Sequence, residues 1–99
     1  MSKTRKNYRR SVTRGWEKQQ PGYHQKTLML KRCGKKCFLG PNKTFPICTR
    51  NTCKINRKGV YAAYIRAQEY KTIARNKNWR TQKYPRISRK ARVLLRKLY

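Results

Sequence analysis

Apolar residues recur at three- and four-residue steps in two stretches of this chain. In the first, Val60, Ala63, Tyr64, Ala67, Tyr70 and either Ile73 or Ala74 form one stripe, while Arg66, Lys71 and Arg75 fall on the other side. That period predicts an amphipathic helix over about 57–77. Asn56 is placed to cap its start, Asn76 and Asn78 to end it before Trp79, and Arg66 can pair with Glu69 three residues on. The second stretch carries Ile87, Ala91, Leu94 and Leu98, with Val93 and Leu95 widening the stripe. Arg86, Arg89, Lys90, Arg92, Arg96 and Lys97 cover the rest of it, and Pro85 suits the first turn. This predicts a basic amphipathic helix after a linker at 80–84. Such a helix can pack on its own core, grip a neighbouring protein or lie on a membrane. Thr27–Leu30 is a shorter apolar run, a strand or a helical turn.

Between these stretches the pattern breaks into turns and cysteines. All four cysteines, Cys33, Cys37, Cys48 and Cys53, lie within 33–53, spaced C-x3-C and C-x4-C. Phe38-Leu39 and Phe45-Pro46-Ile47 flank the turn signal Gly40-Pro41-Asn42-Lys43, which reads as a hairpin or tight loop. Pro46 argues against a central strand there. Four sulfurs this close are cross-linked either by a structural zinc or as two disulfides, nested or crossed. Spacings of three and four residues are compatible with zinc, although C-x2-C is the more usual knuckle.

Charge changes the picture more than any motif. The 99 residues carry 29 Lys and Arg against two carboxylates, Glu17 and Glu69, for a formal net charge of +27. The cations are spread along the whole chain, so the setting must be anionic: nucleic acid, an anionic membrane face or an acidic protein lattice. Residues 1–26 read as an extended basic arm that is disordered in water, with Tyr8, Trp16 and Tyr23 available to stack or dock on a partner. The arm begins polar and no apolar run follows, so neither a signal peptide nor a membrane span is expected. That reading keeps the protein in a reducing compartment and favours zinc over disulfides.

Lys54, Arg57 and Lys58 crowd the predicted start of the first helix, where the helix dipole favours negative charge. Cations there fit an anion-binding site, with a phosphate or carboxylate held by the free N–H groups of the helix end. Catalytic chemistry has little material. The two carboxylates are far apart in sequence, the single histidine, His24, sits in the arm, and no glycine-rich phosphate loop occurs. The cysteines cluster as if for structure rather than as one reactive thiol. The reading is of a protein that is not an enzyme.

Residues 36–67 hold Lys36-Cys37-Phe-Leu-Gly-Pro41, Phe45-Pro-Ile-Cys48, Cys53-Lys-Ile-Asn56 and Gly59-Val-Tyr-Ala-Ala-Tyr-Ile-Arg-Ala67. This wording resembles a group of small, basic, cysteine-bearing proteins of nucleocytoplasmic large DNA viruses, of the chlorella-virus and mimivirus kind. The resemblance implies a virion protein made in the host cytoplasm, either a minor capsid component or a DNA-condensing protein. Viruses of this kind encode thiol oxidases, which implies that disulfides are open to it despite cytoplasmic assembly.

The expected fold is a small α-rich or α+β domain: a cysteine-stapled loop or hairpin packed on one long helix (27–79), between a basic arm (1–26) and a basic amphipathic helix (80–99). The expected function is structural. As a minor capsid protein it would bridge larger capsid subunits through Tyr8, Trp16, Ile87, Leu94 and Leu98, and touch an anionic inner membrane or viral DNA. The alternative is a non-specific nucleic-acid-binding protein of protamine or ribosomal type. With roughly ten phosphate contacts its affinity would fall about nine decades per decade of salt.

Overall fold

The computed structural model describes residues 12–78 and 81–98. Their helices are α1 (Trp16–Gln19), α2 (Tyr23–Cys33), α3 (Arg57–Asn76) and α4 (Lys83–Lys97), with a 3-10 turn (Gly34–Cys37) continuing α2. The domain is α-rich. Between the 3-10 turn and α3 the chain makes only two isolated antiparallel bridges, Phe38 with Pro46 and Cys48 with Ile55.

The longest element starts where the sequence places it. The Asn56 side chain accepts a hydrogen bond from the Lys58 N–H at 2.9 Å, which fixes the first turn of α3. Val60, Ala63, Ala67 and Ala74 form the buried face, and Tyr64 packs at its margin. Ile73 stays exposed, so Ala74 is the one that completes the stripe. Three alanines on one face cannot fill a core by themselves, but they let another helix approach closely. That helix is α4, whose Ile87 and Ala91 join the same cluster. Tyr70 of α3 stacks on Tyr84 of α4 with ring centroids 5.3 Å apart, and Phe45 meets both rings edge-on. Pro85 is the third residue of α4, inside the first turn, where no intrahelical N–H is required.

The cysteine-bearing loop closes the other side of the core with Cys37, Phe38, Phe45, Ile47 and Cys48, all buried. Leu39 N–H donates to the Phe45 carbonyl and Ile47 N–H to the Cys37 carbonyl, making a hairpin around Gly40–Lys43. Asn56 N–H donates back to the Ile47 carbonyl, so the segment about Ile47 is paired on both sides. Pro46 has no N–H to give, which is one reason the pairing never extends into a strand.

The extended arm requires correction. Within the described part of 1–26, Trp16–Gln19 and the start of α2 are helical, and Trp16 is only 6% exposed. Gly15 enters α1 at φ +89°. α1 is then pinned by Arg50 N–H donating to the Gln19 carbonyl at 2.8 Å, and by Asn56 Nδ2 donating to Gln19 Oε1 at 3.2 Å. Thr27–Leu30 belongs to α2, with Met29 buried in the core. Gly22 N–H donates to Gln25 Oε1 at the start of that helix. No described helix is long and apolar enough to cross a membrane.

Candidate functional site: a disulfide staple and a basic helix face

The four cysteines form two nested disulfides. Cys37–Cys48 is the inner bond, with Cα atoms 5.1 Å apart, and it ties the two sides of the hairpin. Cys33–Cys53 is the outer bond, at 5.4 Å between Cα atoms, and joins the end of α2 to the loop before α3. Both cysteines of the inner bond are fully buried, whereas both of the outer one are half-buried. The zinc alternative draws no support, because the sulfurs are joined pairwise. No group of three or more His, Cys, Asp or Glu able to hold a metal occurs among the described residues.

At the start of α3 the three expected anion ligands are neighbours along the chain, and the helix end is partly used. Arg57 and Lys58 are its first two residues, and Lys54 lies on the loop before Asn56. The Lys58 N–H is already satisfied by Asn56 Oδ1, so it is not available to an anion. The Lys58 ammonium lies against Gly15, beside the turn that enters α1. Asn56 Nδ2 also donates to Thr49 Oγ1 at 3.1 Å, which makes this helix end a junction between α1, the cysteine loop and α3.

The expected partner contacts divide. Tyr8 lies outside the described residues. Trp16 is not offered to a partner, because its indole lies against Gly59, where an added Cβ would come within 2.6 Å of Trp16 Cη2. Ile87 is 2% exposed and is a core residue. Leu94 packs at the edge of the same core. Leu98 remains outside at 39% exposed, joined by Val93 at 44%. The apolar stripe of α4 therefore serves mainly this chain's own interior. The cue for this was the alanine-rich face of α3, which needs a second helix to cover it. What α4 leaves to solvent is its cations: Arg86, Arg89, Lys90, Arg92, Arg96 and Lys97 are all exposed.

Glu17 and Glu69, remote in sequence, both line one cavity of about 370 Å³, together with Trp16, Phe45 and Arg66. Both carboxylates remain exposed. The described lining of this cavity has a single hydroxyl, from Thr13, and neither histidine nor cysteine. No protein family, curated protein or solved structure matches the chain.

Proposed function

We propose that this protein is a non-enzymatic structural component of a virion, a minor capsid protein that bridges larger capsid subunits and rests its basic side on an anionic surface. The observation that carries this reading is the outer face of α4. Seven exposed cations, the six named above and Lys83, are displayed there by a helix whose apolar side packs into a doubly cross-linked core. A rigid basic face of this kind suits a polyanion. The likeness of residues 36–67 to small basic virion proteins of large DNA viruses supplies the setting. Val93 and Leu98, exposed among the cations, are the apolar contacts left for a protein neighbour.

Non-specific nucleic-acid binding is the second reading. It is favoured by the burial of Ile87, which removes one of the apolar contacts a capsid partner would have used. Salt-stepped extraction of gently disrupted particles after nuclease treatment separates the two. Retention in the empty protein shell supports the capsid role. Release together with the digested nucleic acid makes the protein a condensing one. Absence from both the shell and the nucleic acid at low salt overturns both readings.

A further inference from the structure

The two disulfides are chemically unequal, and the inequality is built into the fold. The inner bond has no exposed sulfur, since Cys37 and Cys48 are both at 0%. Both residues of the outer bond are only half-buried, and a small cavity of about 60 Å³ reaches Cys33, lined also by Arg32, Leu28, Met29, Asn51 and Thr52. Lys31, Lys35 and Lys36 are exposed on either side of Cys33 in the chain. A thiolate attacking a disulfide needs access to one sulfur, and its approach is favoured by neighbouring cations. The Thr52 carbonyl oxygen lies 3.7 Å from Cys33 Sγ, placed to accept the S–H of a reduced Cys33.

From this we propose that Cys33–Cys53 is a thiol-exchange site for small anionic thiols of the glutathione class, while Cys37–Cys48 is a permanent staple. The incoming thiolate bonds to Cys33 Sγ as the Cys33–Cys53 bond breaks. Cys53 leaves as a thiolate and takes up the proton that the incoming thiol gave up. A second thiol attacks the sulfur of the bound one and forms the oxidised thiol dimer. Cys33 departs, is protonated and donates to the Thr52 carbonyl. Two thiols are thus oxidised to one disulfide, and one protein disulfide is reduced to two thiols.

The fold tolerates this change. Opening the outer bond frees the end of α2 from the loop at 49–53, but the chain remains fixed at Cys37 four residues later. α2 also keeps Met29 in the core and the bond from Lys43 Nζ to Thr27 Oγ1 at 3.0 Å. The effect is local loosening around 23–33 and 49–53 rather than unfolding. This inference does not depend on the function proposed above.

The test exposes the oxidised full chain, without denaturant, to a graded series of reduced glutathione, followed by alkylation and peptide mass mapping. The expected result is a dominant two-thiol species labelled at Cys33 and Cys53 with Cys37–Cys48 intact. At equal thiolate concentration and low salt, glutathione should react about threefold or more faster than the uncharged thiol 2-mercaptoethanol. That gap should close at about 0.5 M salt, where screening falls to a few ångströms. Arg32→Gln should slow glutathione and leave 2-mercaptoethanol nearly unchanged. Labelling of Cys37 and Cys48 first, or opening of both bonds together, overturns the proposal. Hydrogen exchange on a Cys33→Ala/Cys53→Ala chain gives an independent readout. Protection should fall at 23–33 and 49–53 while α3 and α4 keep theirs. If that chain does not fold, the reduction series on the native protein still decides.

Discussion

Replacing Gly59 by alanine sets two effects of known sign against each other. Gly59 is the third residue of α3, and alanine in a helix is favoured over glycine by up to about 1 kcal/mol. By propensity alone the variant is stabilised. The packing says otherwise. An added Cβ would stand 2.6 Å and 2.8 Å from Trp16 Cη2 and Cζ2, and 3.0 Å from the Cα of Ile47. Carbon atoms pack best at about 3.5–4.0 Å, so the indole must retreat by about 1 Å and the Ile47 backbone by about half that.

Neither neighbour gives way easily, because Ile47 is fully buried and its N–H is bonded to the Cys37 carbonyl. Overpacking of this kind costs about 1–3 kcal/mol, and expelling Trp16 altogether would cost more, about 3–5 kcal/mol. The expected net result is destabilisation by about 1–2 kcal/mol, read as a melting temperature lower by about 5–15 °C with the disulfides intact. Circular dichroism measures the melting. Fluorescence in a Trp79→Phe background, where Trp16 is the only indole, reports whether the ring has moved toward water. In a Trp16→Ala background the same Gly59→Ala change should become neutral or slightly stabilising, because the main clash is gone. A Gly59→Ala protein at least as stable as the parent, with unshifted Trp16 emission, would refute the packing argument.

Three further outcomes are expected. Asn56→Ala removes the cap on Lys58 N–H and the donors to Gln19 and Thr49, and should cost about 2 kcal/mol in chemical denaturation. Asn56→Asp, which keeps the acceptor, should lose less. Ile87→Ala should cost about 2–5 kcal/mol, while Val93→Ala on the outer side of the same helix should stay within about 0.5 kcal/mol. Equal losses at the two positions would mean that α4 is packed the other way round. In titrations with duplex DNA, the triple change Arg89→Gln, Arg92→Gln and Arg96→Gln should lower the slope of log affinity against log salt by about 3 × 0.9. An unchanged slope would remove the outer face of α4 from the polyanion contact.

How far these features were readable in the sequence depends on whether a local pattern or a distant complement creates them. The start of α3 and its stripe follow from Asn56 and from side chains three and four residues apart, and the structure has both. α4 follows the same period at Ile87, Ala91 and Leu94, but it begins at Lys83, inside the linker expected at 80–84, and Val93 and Leu98 of its expected stripe stay exposed. The cysteines announced a staple by clustering, but their pairing depends on the hairpin that brings Cys37 to Cys48, and no spacing rule encodes that. Trp16 was misplaced for a different reason. A four-residue helix is too short to show a period, and a basic neighbourhood looks like a solvated arm. Its burial is written at Gly59, over forty positions away, as the absence of a side chain. Ile87 and Leu94 could be assigned to self-packing or to a partner equally well from α4 alone. The alanines of α3 resolve that choice, because a helix face so small needs another helix against it.

The two staples bear on what so much charge requires. Cross-linking positions 20 and 11 residues apart limits the unfolded chain by about 3.3 and 2.8 kcal/mol when each loop is taken alone. Because the loops are nested, the second closure spans only about ten effective residues, and the pair contributes about 5.5 kcal/mol together. Domains are commonly stable by only about 5–15 kcal/mol, so the staples are comparable with the whole margin. A net charge of +27 on 99 residues opposes compaction, and one way to hold such a chain together is to let a polyanion fold it on contact. With two disulfides cross-linking the core, the expected alternative is a domain that is folded before any polyanion is bound and that carries its basic face ready-made. On that expectation, binding to a polyanion would have little ordering entropy to overcome for residues 16–78 and 81–98, and salt should weaken it without unfolding the domain. A protein whose helicity collapsed at low salt and returned only with added DNA would show that the staples do not carry this load.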